Sequence, residues 1–239
     1  MSLANPSKIP GSIFTHVRNH YFIYFIYFLL LAPHAHSQQP QFSLSTDFSV
    51  LRSFKKQQQY WAIGQTVTGH FHVTQKDEIY AWVCYYGNGK FTNRLTATAK
   101  SAATSPQEIA YNNRASLGFR HISMGWKRYL KGASNTEDEA NFYVYAGLGL
   151  MLGKVINAHS LGIDSSEYFL PVIAGTGRFK RLTLDLGLGY ELPVGGDVFF
   201  YLEGRALVPT SYYPSNYLFI NKYAPFTASA NIGLRILFD

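Results

Sequence analysis

The stretch FTASANIGLRILF, Phe226 to Phe238, decides the fold. Phe226, Ala228, Ala230, Ile232, Leu234, Ile236 and Phe238 are apolar, and Thr227, Ser229, Asn231, Gly233 and Arg235 stand between them. Successive side chains of an extended chain point to opposite faces, so a strict period of two predicts a strand with one apolar and one polar face. Leu182 to Leu192 repeats the pattern, its leucines and Tyr190 alternating with Thr183, Asp185, Gly187, Gly189 and Glu191. Val198, Phe200, Leu202, Ala206 and Val208 alternate with Tyr201, Glu203 and Arg205, and Phe142 to Leu152 alternate with Tyr143, Tyr145, Gly147 and Gly149.

Working outward, further strands are predicted at 41–52, 59–75, 78–87 and 114–130, which brings the count to eight. In the last of these Leu117 and Phe119 sit on one parity and Ile122, Met124 and Trp126 on the other. One extra residue near Arg120-His121 would restore the face, so a β-bulge is expected there. Short connectors at 75–77, 131–139 and 193–197 alternate with longer ones near 53–58 and at 88–113, 153–181 and 209–225. The segment 168–175 is read as part of the third long loop. Tight turns at one end and long loops at the other are the layout of an up-and-down transmembrane β-barrel.

Alternation alone leaves the inside undecided, because a soluble lipocalin-like lipid-binding barrel alternates too. Charge separates the readings. Asp185, Glu191, Glu203, Arg205 and Arg235 share the polar face of consecutive strands, while the opposite face carries almost no charge. An uncharged apolar outer face is costly in water and required in lipid, where an Arg or Lys at the midplane costs about 2–4 kcal/mol. The five charged residues are therefore expected to form a lumen network of ion pairs that plugs the barrel, since eight strands leave room for little more than side chains. The C-terminal strand ending in Phe238 resembles that of bacterial outer-membrane barrels. The chain from residue 38 onward resembles the small outer-membrane β-barrel proteins common in Bacteroidetes-type bacteria. The resemblance implies residence in the outer membrane, contact with its lipid and lipopolysaccharide, and recognition of Phe238 and the last strand by the assembly machinery.

The rest of the sequence fits. Residues 1–37 read as a signal peptide: Tyr21 to Ala32 is an apolar run after basic residues, and Ala35 and Ser37 are small residues two apart, so cleavage is expected after Ser37. The run is shorter than the 20 or so apolar residues that span a bilayer. Losing Lys8 and Arg18 takes the net charge of +7 to +5 for a domain spanning 38–239. The remaining cations are scattered or placed in loops, which speaks against nucleic acid and suits anionic headgroups. With 18 Tyr and 18 Phe the chain is too rich in strand-forming aromatics for disorder. The single cysteine, Cys84, excludes an internal disulfide and a cysteine-held metal.

Candidate polar sites are His70, His72, His121 and Ser123. His70 and His72 share a face, as two metal ligands would, yet no third ligand is evident, and neither a metal nor a cofactor is expected. His121-Ile-Ser123 resembles the His-x-Ser of barrel lipid A deacylases, which implies a lipid-modifying hydrolase if both residues face outward with Glu137 or Glu139 orienting the imidazole. Met124 stands where that family has Asn. Gly147, Gly149, Gly187 and Gly189 are read as interior glycines beside Tyr143, Tyr145 and Tyr190. Tyr129, Phe142, Tyr190, Phe199 and Phe238 are expected in aromatic girdles at the strand ends.

Overall fold

The structure is a computed structural model that describes residues 42–54, 58–134, 139–211, 217 and 226–238. Its strands are β1 (Phe42–Ser53), β2 (Trp61–His72), β3 (Asp77–Ala99), β4 (Glu108–Lys131), β5 (Asn141–His159), β6 (Tyr168–Phe169), β7 (Gly175–Gly195), β8 (Val198–Pro209) and β9 (Thr227–Phe238). Every pairing is antiparallel, in the order β2-β1-β9-β8-β7-β5-β4-β3, and β2 pairs with β3 to close the ring. Eight strands make the barrel; β6 only extends the far end of β3 through Thr98 and Ala99. Closure removes the sheet edges around the ring, so the ladder groups there pair without water, as a lipid environment demands. Among the described residues, β3 between Asn88 and Ala97 and β7 before Thr183 pair with one neighbouring strand only. The expected leader, residues 1–37, lies outside the described residues.

The faces fall as the alternation requires. Leu184, Leu186, Leu188, Leu202, Ile232 and Leu234 are exposed on the outside, whereas Asp185, Glu191, Arg205, Asn231 and Arg235 are buried within. At the turn end, Thr74 Oγ1 accepts the backbone N–H of Lys76 and of Asp77 and closes the β2–β3 hairpin. Between β7 and β8, Gly196 has φ of +54°, a left-handed backbone that a glycine adopts without strain.

Several sequence expectations are corrected. The phase change in β4 is absent: its odd residues face inward from Tyr111 to Tyr129, Leu117 and Phe119 included. The bulge sits instead on β3, where Tyr86 pairs with Phe119 and Gly89 with Leu117, so two β3 residues oppose Gly118. Asn88 takes a positive φ of 62° there, a conformation asparagine tolerates better than most residues. The loops expected at 88–113 and 153–181 are largely strand: β3 and β4 run on to Ala99 and from Glu108, and β5 and β7 to His159 and from Gly175. Beyond the aliphatic band the outer face meets polar surroundings, so apolar alternation ends while the hydrogen-bond ladder continues. The 168–175 segment holds the two-residue strand β6. Most of the loop expected at 209–225 lies outside the described residues. Of the expected girdle, Phe142, Tyr190 and Phe238 point outward, but Tyr129 and Phe199 are buried in the lumen. Tyr190 consequently does not stand beside the interior glycines. Phe238 stacks on Phe42 at 6.3 Å, with the strand ends of β1 and β9 in register.

Candidate functional site

The lumen is the site, and its lining follows from strand parity. On β1 the inward residues are Ser43, Ser45, Asp47 and Ser49; on β2, Thr66, Thr68, His70 and His72; on β3, Glu78, Tyr80, Trp82 and Cys84. The small side chains of β1 and β2 make room for the large ones opposite. Glycine does the same on β7, where a Cβ at Gly187 would overlap the Tyr145 ring and one at Gly189 the Tyr143 ring.

Nearest the turn end, Arg235 holds the lumen together. Its Nε donates to Glu191 Oε1 at 2.5 Å, its Nη2 to the Ser134 carbonyl at 2.7 Å, and its guanidinium lies 4.2 Å from the Phe199 ring centre. Tyr129 donates to Glu191, and Lys127 Nζ donates to the Tyr129 hydroxyl at 2.9 Å and pairs with Glu78 at 3.1 Å. Glu78 is completely buried and faces His72 Nδ1 at 2.8 Å and His70 Nδ1 at 3.2 Å. The far nitrogens of the two rings lie within hydrogen-bond distance of Ser43 and Ser45. The two histidines thus share a face as expected. The third group they meet is a carboxylate already paired with Lys127, and no metal-binding cluster forms among the described residues.

Midway, Arg205 donates to Glu203 Oε1 at 2.7 Å and to the Tyr145 hydroxyl at 2.9 Å, lies 3.6 Å from Asp47, and covers the Trp82 ring at 4.3 Å. Glu203 also accepts from Tyr143, Tyr145 and Asn231, and Asp47 from Tyr201. Asp185, which shares the polar face with Arg205, pairs elsewhere: its Oδ2 lies 3.6 Å from His121 Nε2, which is 2.7 Å from Thr183 Oγ1. The absent side chain of Gly149 lets this imidazole and carboxylate approach.

His121 and Ser123 both face inward and are buried, and Ser123 donates to the Leu148 carbonyl. The hydrolase reading required an outward face at the bilayer edge, so the geometry removes it. Glu139 is exposed near the turn end, and Glu137 lies outside the described residues. Sequence reasoning missed Asp47, Glu78 and Lys127. Asp47 was legible from its parity with Ser43, Ser45 and Ser49, and Lys127 from its parity opposite to Ile122, Met124 and Trp126.

The interior buries five carboxylates (Asp47, Glu78, Asp185, Glu191, Glu203) and four cations (Lys127, Arg181, Arg205, Arg235), so its formal charges nearly balance before any histidine is counted. A gap of about 20 Å³ lies beside the Glu203–Arg205 network, room for about one water. Toward the loop end, Leu51, Tyr60, Tyr86, Leu117, Phe119, Val155, Phe179 and Leu207 pack into an apolar plug. Among the described residues the lumen is thus filled by polar side chains toward the turn end and by apolar ones toward the loop end.

No family profile matches this chain, and no curated protein matches it. Among solved structures it resembles Neisserial surface protein A at 12% identity, with 84% of this chain aligned to 100% of the other and a TM-score of 0.53. A major outer membrane protein from Thermus thermophilus aligns over the same shares at 10% identity, also with a TM-score of 0.53. Identities this low speak for the fold alone. That fold, an antiparallel ring with a polar interior and an apolar outer band, is the fold of bacterial outer-membrane β-barrels.

Proposed function

We propose that the protein is an integral outer-membrane barrel that conducts nothing through its lumen and presents its loop end outside the cell for surface recognition. The observation that carries this reading is the wall built by β3, β4, β5 and β7 beyond the aliphatic band. The wall has its own small core, in which Leu95, Ala97, Tyr111, Tyr168 and Val172 pack together. Its two loops are stitched to each other: Lys100 Nζ donates to the Ser165 carbonyl at 2.7 Å, the Lys100 N–H to the Glu167 carbonyl at 2.8 Å, and the Tyr168 hydroxyl to the Pro106 carbonyl. Loops fixed on a rigid scaffold are the usual carriers of binding.

The test uses the Cys84→Ala chain with one new cysteine. Ala103→Cys, at the loop end, should react with a membrane-impermeant maleimide on intact cells. Gln75→Cys, at the turn end, should react only after the outer membrane is permeabilised. The reverse pattern overturns the orientation. Stepwise conductance of the purified protein in a planar bilayer overturns the closed lumen.

A further inference from the structure

The outer surface of the same wall is asymmetric in charge. In register across β4, β5 and β7 stand Arg120, Leu152 and Lys180, and one step nearer the loop end Gly118, Lys154 and Arg178. All four cations are exposed, and among the described residues none of them is ion-paired. Neighbouring strands lie about 4.8 Å apart, so Lys154 and Arg178 are direct neighbours and Arg120 and Lys180 are about 10 Å apart across Leu152. Arg114, Lys90 and Arg94 continue the cationic surface toward the loop end. The outward positions of β8, β9 and β2 carry no cation at all.

The cations border a furrow. Gly118 has no side chain to fill the space between them, the β3 bulge at Gly87-Asn88 lies beside it, and a groove of about 730 Å³ is edged by Tyr85, Arg120, Lys154, Arg178 and Lys180. A second groove of about 400 Å³ adjoins it through Ser116 and Ile156 and is bordered by Lys90 and Arg114. One step toward the turn end the register changes to Ile122, Leu150 and Leu182, the edge of the aliphatic band. An occupant of this surface therefore meets cations and apolar side chains in immediate succession.

We infer that the furrow binds the phosphorylated headgroup of an outer-leaflet glycolipid, with its acyl chains laid along Ile122, Leu150 and Leu182. Arg120 and Lys180 are spaced to straddle one phosphate group, while Lys154 and Arg178 reach it from the loop side. Guanidinium groups suit phosphate through paired N–H donors, and lysines add point charges at the water boundary. The aliphatic step below selects a lipid over a soluble anion, and the bare outer faces of β8, β9 and β2 make this a local site instead of a general basic belt. The inference rests on the outer-membrane reading above.

The experiment uses the full chain refolded into phosphatidylcholine vesicles containing lipid A or dephosphorylated lipid A, with co-purified lipid quantified by mass spectrometry after detergent extraction. Lipid A should be retained at least about tenfold better than its dephosphorylated form. The variant Arg120→Gln/Lys154→Gln/Arg178→Gln/Lys180→Gln should lower retention on the order of tenfold to a hundredfold. Arg52→Gln, on β1, should leave retention unchanged. Equal retention of the two lipids by the unaltered chain overturns the inference without recourse to any variant. Displacement of lipid A by millimolar inorganic phosphate also overturns it, because the site would then belong to a free anion. If the chain inserts into no vesicle, the outer-membrane reading fails with it; insertion without phosphate preference removes the lipid site alone.

Discussion

Replacing Arg205 by methionine tests whether the lumen is held by paired charges. The guanidinium donates to Glu203 and Tyr145, lies 3.6 Å from Asp47 and covers Trp82, and all four partners are buried. Methionine keeps much of the volume and leaves two carboxylates in the interior without their cation. Breaking a buried pair from one side costs about 3–5 kcal/mol, because the remaining charge is desolvated and uncompensated. The double variant Glu203→Gln/Arg205→Met removes the closest pair together. Tyr143, Tyr145 and Asn231 can still bond the glutamine carbonyl, so the double variant should recover more than half of that loss. Urea titration of the barrel in vesicles measures both, and Trp82, directly under Arg205, reports the change in its fluorescence. A loss below about 1 kcal/mol in Arg205→Met, or a double variant as unstable as the single one, refutes the reasoning.

Three further outcomes are expected. Leu184→Arg, on the outer aliphatic band, should lower stability in vesicles by about 2–4 kcal/mol. Thr98→Arg, on the outer face beyond that band, should stay within about 0.5 kcal/mol, and equal losses in the two urea titrations would contradict the placement of the lipid boundary. Gly187→Ala should cost about 1–3 kcal/mol by overlap with Tyr145, and combining it with Tyr145→Phe should not restore stability, since the ring remains. In the loop before β6, the Ser166 backbone N–H donates to Asp164 Oδ1 at 2.7 Å and holds this exposed carboxyl below its usual range. Its contribution to loop order is then present above the unfolded value of about 4 and is lost as pH falls through the lower folded value. A carboxyl carbon NMR titration midpoint at or above about 4 for Asp164 would contradict this.

The barrel was legible because lipid and lumen impose opposite chemistry on alternate residues. In β7 and β9 the positions from Leu182 to Leu192 and from Phe226 to Ile236 follow this contrast, and Asp185, Glu191 and Arg235 could be placed inside from parity alone. Legibility failed where that contrast weakens. Leu117 and Phe119 are apolar and inward, because they belong to the plug, so a rule equating apolar with outward displaced the bulge from β3 to β4. Beyond the aliphatic band, Thr92, Thr96 and Arg114 face a polar exterior, and strands there look like loops. Membership of the lumen network was partly legible, but the individual pairings were not. Which acid meets Arg205 depends on the register that sets Asp47 of β1 and Tyr201 of β8 on either side of Gly233 of β9, and sequence parity carries no such information. The basic furrow was similarly hidden, since Arg120, Lys154 and Lys180 are scattered in sequence and converge only through register.

The central claim is that a closed barrel spans the outer membrane with its apolar band in lipid. Fractionation of cells expressing the full chain, followed by gel mobility with and without boiling, tests it most directly. The account predicts a protein in the outer-membrane fraction that runs as a compact band until boiled and more slowly afterwards. A chain found in the aqueous fraction without detergent, with mobility unchanged by boiling, would contradict it.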